Sequence, residues 1–194
     1  MGIFNFIKRQ LIDVIEWRDD SPDTLVYKFD DADCEIKNGA QLIVRDSQKA
    51  VFLHEGELGD VFGPGRYELT TQNIPILTSL KSWKYGFDSP FKCDVFFVST
   101  RQFANQKWGT QNPIMMRDAD FGMLRLRAFG MFSFRVGDPA ALLRELSGTG
   151  SYYRVSGIVE HLRSKIVSGV SDAIAESKIP ALDLSARYDE LSEL

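Results

Sequence analysis

His54, Glu55, Glu57 and Asp60 place one imidazole and three carboxylates within seven consecutive residues. An imidazole titrates near neutral pH, and carboxylates converging on it could share a proton or hold a cation. That chemistry requires convergence on one point. Here Gly56 and Gly59 follow closely, and the run ends in Gly63-Pro64-Gly65, a set of turn residues. The pattern fits a solvated hairpin end, with a small-ligand-binding or hydrolytic domain built on His54 to Asp60 as the alternative. Other motifs fail on context. Asp120-Phe121-Gly122 imitates a kinase magnesium motif, but no glycine-rich phosphate loop precedes it and no His-Arg-Asp occurs in the chain. Gly148-Thr149-Gly150 lacks the lysine of a phosphate loop and reads as a linker between helices. Cys34 and Cys93 belong to no Cys-x-x-Cys pair, and with two histidines in the chain no zinc set is recognisable; both cysteines read as reduced thiols. No nucleophile is paired with a base in a known motif, so no catalytic, cofactor or metal residue is expected, and the chain reads as a non-enzyme.

Arginines stand out next. Leu124, Leu126, Ala128, Gly130, Phe132, Phe134 and Val136 share one parity, and Met123, Arg125, Arg127, Phe129, Met131, Ser133 and Arg135 share the other. Period two predicts a strand whose first set faces the core, with a bend near Gly130 because the run is too long for one straight strand. Arg125, Arg127 and Arg135 then lie on the opposite face, either solvated or turned to phosphate or carboxylate groups of a partner.

The elements around these residues are mostly extended. Strands are expected over Thr24 to Phe29, Cys34 to Lys37, Gln41 to Arg45, Lys49 to Glu55 and Arg66 to Thr71, with an Asn38-Gly39 hairpin signal and a type II turn at Pro64-Gly65. Pro75 limits the next segment to an edge or loop, and Leu77 to Trp83 reads as a short helix. Lys92 to Thr100 is apolar on both parities, which predicts a central strand covered on both faces. Asp138-Pro139 begins a helix as N-cap and first residue, carrying Leu142, Leu143 and Leu146 on its buried side. A longer helix follows from Tyr153 to Glu176, its stripe including Val155, Val159, Leu162 and Ile166, and Pro180 stops it. A last helix capped by Asp183 would run to Leu194, an uncapped end that predicts a longer natural chain. At the N-terminus, Ile3, Phe4, Ile7, Leu11, Val14 and Ile15 recur at threes and fours, which predicts an amphipathic helix over Ile3 to Trp17. Its apolar face would contact either the domain, a partner or a membrane interface; Lys8 and Arg9 are offset by Asp13 and Glu16. Phe6 occupies the position where N-myristoylation needs Ser or Thr.

Composition narrows the class. A chain of 194 residues with 44% hydrophobic content can bury one good-sized core, and a net charge of −4 argues against a nucleic-acid partner. Neither a span-length apolar run nor a signal peptide is present in the sequence. The expected division is an N-terminal helix over 1–20, an α+β domain over 21–150 and a C-terminal helical segment over 151–194.

The order of several short motifs carries a resemblance. Lys49 to Leu77, with Gly63-Pro64-Gly65-Arg66-Tyr67-Glu68-Leu69 inside it, resembles the opening of the SPFH or band 7 domain of stomatins, prohibitins and flotillins. Phe96-Phe97-Val98-Ser99-Thr100-Arg101, Lys107-Trp108-Gly109-Thr110, Asn112-Pro113-Ile114, Arg127-Ala128-Phe129-Gly130 and Val136-Gly137-Asp138-Pro139 resemble its bacterial branch often labelled virion-core-like, as does Glu16-Trp17. The resemblance implies an α+β fold in which a curved antiparallel sheet packs with helices and leads into C-terminal helices. It also implies a non-catalytic scaffold that forms homo-oligomers and organises membrane-associated partner proteins, peripheral at the cytoplasmic face of a bacterial membrane, with a role in membrane stress. In that setting Ile3, Phe4, Ile7 and Leu11 would contact membrane or partner, and the helix after Val155 would serve self-association. Within residues 1–194 no transmembrane or re-entrant hairpin of the stomatin or prohibitin kind and no coiled-coil and zinc-ribbon tail of the kind found in many members of the branch is recognisable.

Overall fold

A computed structural model describes residues 14–18, 21–29, 35–36, 39–54, 56–70, 91–146, 152–177 and 179–184. In chain order the strands are β1 (Val14–Glu16), β2 (Thr24–Lys28), β3 (Glu35–Ile36), β4 (Gln41–Val44), β5 (Gln48–His54), β6 (Glu57–Phe62) and β7 (Gly65–Glu68). They continue as β8 (Phe91–Lys92), β9 (Asp94–Ser99), β10 (Phe103–Gly109), β11 (Ile114–Asp118), β12 (Gly122–Leu126), β13 (Phe129–Phe134) and β14 (Tyr152–Arg154). Two helices are described, α1 (Pro139–Leu146) and α2 (Val155–Ser177). The chain forms two compact units, Met1–Gln102 with Arg135–Val155 and Phe103–Phe134 with Ser156–Leu194. The class is α+β, with mostly antiparallel open sheets and a long C-terminal helix.

In the first unit, β14-β2-β9-β5-β6 form an antiparallel sheet of five strands. Strand β9 holds its centre for the reason its composition implies: Val95 and Phe97 point to one face, Phe96 and Val98 to the other, and all four are buried. A second sheet, β1-β4-β7, pairs β1 parallel and β7 antiparallel to β4. One core cluster joins the two sheets, with Ile15, Trp17, Leu42 and Val44 meeting Phe52, Phe62, Val95 and Phe97. Trp17 stacks on Tyr27 at 5.8 Å between ring centroids, and Phe62 lies 5.3 Å from Phe52. Helix α1 packs against β5 through the buried Leu143. Its N-cap is as the sequence implies, the Asp138 carboxylate accepting the N–H groups of Ala140 and Ala141 at 2.9 and 3.2 Å.

Several expectations are corrected here. Val14–Glu16 is a strand, not the last turn of a helix over Ile3 to Trp17: its parallel register with Gln41–Ile43 sends Ile15 and Trp17 inward and leaves Val14 outside, a period of two. Ile3, Phe4, Ile7 and Leu11 lie outside the described residues. Asn38-Gly39 does not close a hairpin, because β3 pairs with β8 while β4 pairs with β1 and β7. Gly39 instead adopts φ +82° and donates its N–H to the Leu69 carbonyl at 2.9 Å. Nor is Pro64-Gly65 a type II hairpin turn. Strands β6 and β7 belong to different sheets, and Gly65, at φ +152°, opens β7 at the corner where the chain crosses between them. The expected helix from Tyr153 begins two residues later, since Tyr152–Arg154 pairs with β2 as the sheet's edge. The expected Leu77 to Trp83 helix and the helix beyond Asp183 lie outside the described residues, apart from a turn over 181–184.

The second unit contains the alternating run. It breaks at Arg127-Ala128, close before Gly130, giving β12 and β13, which pair antiparallel with β11 and β10. Gly130 has a different role. It sits opposite Trp108, whose indole occupies the space a Cβ would need, 2.9 Å from Nε1.

Candidate interaction surface

Strands β10 to β13 form a long hairpin with one break. Gly109 pairs with Phe129 and Ile114 with Leu126, while the Thr110 N–H donates to the Ala128 carbonyl at 2.9 Å across the junction. Four residues on one strand, 110–113, therefore face two on the other. The surplus is even, so alternation stays in phase across the break.

On the inner face, Phe103 stacks on Phe134 at 5.1 Å, Phe132 lies beside Phe134, and Met116 is buried. The outer face is open. Phe129 is 86% exposed, Met131 66%, Met123 58% and Met115 51%, and Phe121 at the tip is 58% exposed. Arg125 and Arg127 share this outer parity and are exposed, as are Lys107 and Arg117; Arg135, past the end of β13 in the first unit, is exposed as well. Cross-strand pairing gives the face a regular order: Lys107 stands opposite Met131, Met115 opposite Arg125, and Arg117 opposite Met123. Each methionine thus faces a cation whose aliphatic stem can lie along it while the charge reaches water.

The hairpin tip is tied down by Asp118. Its Oδ1 accepts the N–H groups of Asp120 at 2.8 Å and Phe121 at 3.0 Å, and its Oδ2 accepts the Ala181 N–H at 2.8 Å. The Ala181 bond first, then those from Phe121 and Asp120, hold this buried carboxyl below its usual pKa. Asp120-Phe121-Gly122 is accordingly a turn, with Gly122 at φ +75°. Arg163 of α2 donates to the Lys107 carbonyl at 2.6 Å.

The other candidate residues are placed as follows. His54 and Glu57 pair across the β5–β6 hairpin, which closes through Gly56 at φ +83°; Glu57 is exposed, Asp60 is buried, and Glu55 lies outside the described residues. A cavity of about 630 Å³ opens beside this hairpin, lined by Lys28, Leu53, Leu58, Phe96 and Leu143 among others, and His54, Glu57 and Asp60 do not line it. Lys28 there is held by Asp94 at 2.7 Å and lies over the Phe96 ring. No group of three or more potential metal ligands occurs among the described residues. Cys93 is a buried core thiol. On α2, Val155 and Val159 are buried, Leu162 and Ile166 half-buried, and His161 exposed. Sequence reasoning missed Lys107, Met115, Arg117 and Phe121 as members of the hairpin face. The alternation of Met115 and Arg117 with Ile114 and Met116, followed by the turn residues Asp118-Ala119-Asp120, was the available signal.

The sequence profile of the SPFH domain-Band 7 family matches residues 26–194. The chain belongs to this family. SPFH domains are in general membrane-associated scaffolds without catalytic activity, and no helix among the described residues is long and apolar enough to cross a membrane. The SPFH chain is 36% identical over 166 residues to the uncharacterized protein YdjI of Bacillus subtilis strain 168, a match covering 84% of this chain and 49% of YdjI. It thus spans about half the length of that curated relative. No solved structure matches.

Proposed function

We propose that this SPFH chain is a non-catalytic scaffold of the virion-core-like branch that oligomerises and organises partner proteins at the cytoplasmic face of a bacterial membrane under membrane stress. Family membership supports the scaffold role. The single observation that carries the reading is the exposed hairpin face, where apolar and cationic side chains are concentrated on an outer surface instead of converging in a cleft. Self-association through α2 would use Leu162 and Ile166, since Val155 and Val159 are already buried within the chain. The amphipathic pattern of Ile3, Phe4, Ile7 and Leu11 offers a further membrane or partner contact. The alternative built on His54 to Asp60 gains no support from residues that diverge between solvent and interior. Light scattering of the chain with and without added vesicles is the test. An assembly of several copies that recruits to vesicles is expected; a monomer that ignores them would overturn the reading.

A further inference from the structure

Of the large apolar side chains left exposed among the described residues, Met115, Phe121, Met123, Phe129 and Met131 belong to one hairpin, while Val14, Val61 and Leu182 are scattered. The same hairpin, residues 103–134, carries Lys107, Arg117, Arg125 and Arg127 against Asp118 and Asp120, a net charge of +2 in a chain whose net charge is −4. Of those two acids, Asp118 is buried beneath the tip and Asp120 is in the tip turn, so the strands of the outer face bear only positive charge. We propose that this face docks on an anionic bilayer, its Phe129 and methionines entering the acyl boundary while its lysine and arginines engage lipid phosphates. The inference deepens the membrane-scaffold reading and rests on it.

The chemistry of the face selects this occupant. Anionic headgroups over hydrocarbon present negative charge and apolar depth together, which is what the alternating methionine and cation pairs match. A second copy fits less well. Two such faces packed about a two-fold axis would bring together two surfaces whose strand charges are all positive, and no other apolar patch of comparable size exists among the described residues to receive the face from another side. Single-stranded nucleic acid calls for stacked aromatic platforms, and three of the five exposed apolar side chains are methionines.

Flotation of the full chain with phosphatidylcholine vesicles, and with vesicles in which part of that lipid is replaced by phosphatidylglycerol, tests this. The wild type is expected to float with the phosphatidylglycerol vesicles and to be released by salt. Replacing Arg125 and Arg127 together by Gln is expected to weaken partitioning roughly twenty-five-fold, at about fivefold for each basic residue near an anionic surface. Phe129→Ser with Met131→Ser should also release the protein. All these side chains are exposed, so melting should not change; if the Gln variant melts early, the corresponding Lys variant is expected to fold and float. Flotation of both face variants at wild-type level would overturn the proposal. If Phe4→Asp with Ile7→Asp then abolished flotation, the membrane reading would survive with the N-terminal segment as its contact. A wild type that floats with neither vesicle would overturn the membrane reading itself. Face variants that lower oligomer mass but not flotation would overturn the lipid assignment in favour of a second copy.

Discussion

At the scale of single residues, two positions carry more than their chemistry advertises. Asp118 has no catalytic partner, yet it closes the hairpin tip and receives the Ala181 N–H from beyond α2. Its pKa is depressed in the folded state, so its contribution is complete above the unfolded carboxylate value near 4 and is lost as pH falls through the lower folded value. Urea midpoints at pH 7 and pH 3 should therefore differ more for the wild type than for Asp118→Asn, which is expected to be less stable at pH 7. An equal acid loss in both proteins would remove Asp118 from the account. Gly65 is required by backbone and space together. At φ +152° it lies where side-chain-bearing residues are strained, and an added Cβ would sit 3.1 Å from the Tyr67 ring. Gly65→Ala should cost about 1 to 3 kcal/mol in denaturant unfolding. Its Gly-Pro-Gly setting reads as a turn in the sequence, but the sequence does not reveal that the turn moves the chain from one sheet to another. That depends on pairing partners far away in the chain.

At the scale of elements, the hairpin makes one face by packing the other. Trp108 lies over Gly130 on the inner side, with Phe103, Phe132 and Phe134 nearby. Gly130→Ala forces the indole to shift, so it should lower stability by about 1 to 3 kcal/mol, seen as an earlier thermal transition. Vesicle binding, which depends on the outer parity, should persist below that transition. Periodicity made this much legible: the alternation from Leu124 to Val136 matches half-buried and exposed positions residue by residue. It could not give the break at Arg127-Ala128, which is fixed by the two-residue surplus within 110–113 on the partner strand. The doubly covered β9 and the Asp138 cap were likewise legible, because each depends on local pattern. Val14–Glu16 was misread because three- and four-residue spacing upstream ran into a segment of period two, and its parallel partner β4 is distant in sequence.

At the scale of the whole molecule, the acidic chain carries a local excess of positive charge on the hairpin whose apolar side chains also stay exposed. That asymmetry was only half legible. Arg125 and Arg127 were placed on one face by parity, but Lys107 and Arg117 joined them only through pairing across the hairpin. Action through a surface of this kind, not through the cavity beside β5 and β6, is the central claim. Hydrogen exchange of the full chain with and without phosphatidylglycerol-containing vesicles addresses it most directly. Slowed exchange across Phe103–Phe134, with amides around Leu53, Leu58 and Leu143 unchanged, is the expected result; slowing confined to the latter amides, or absent from the hairpin, would contradict it.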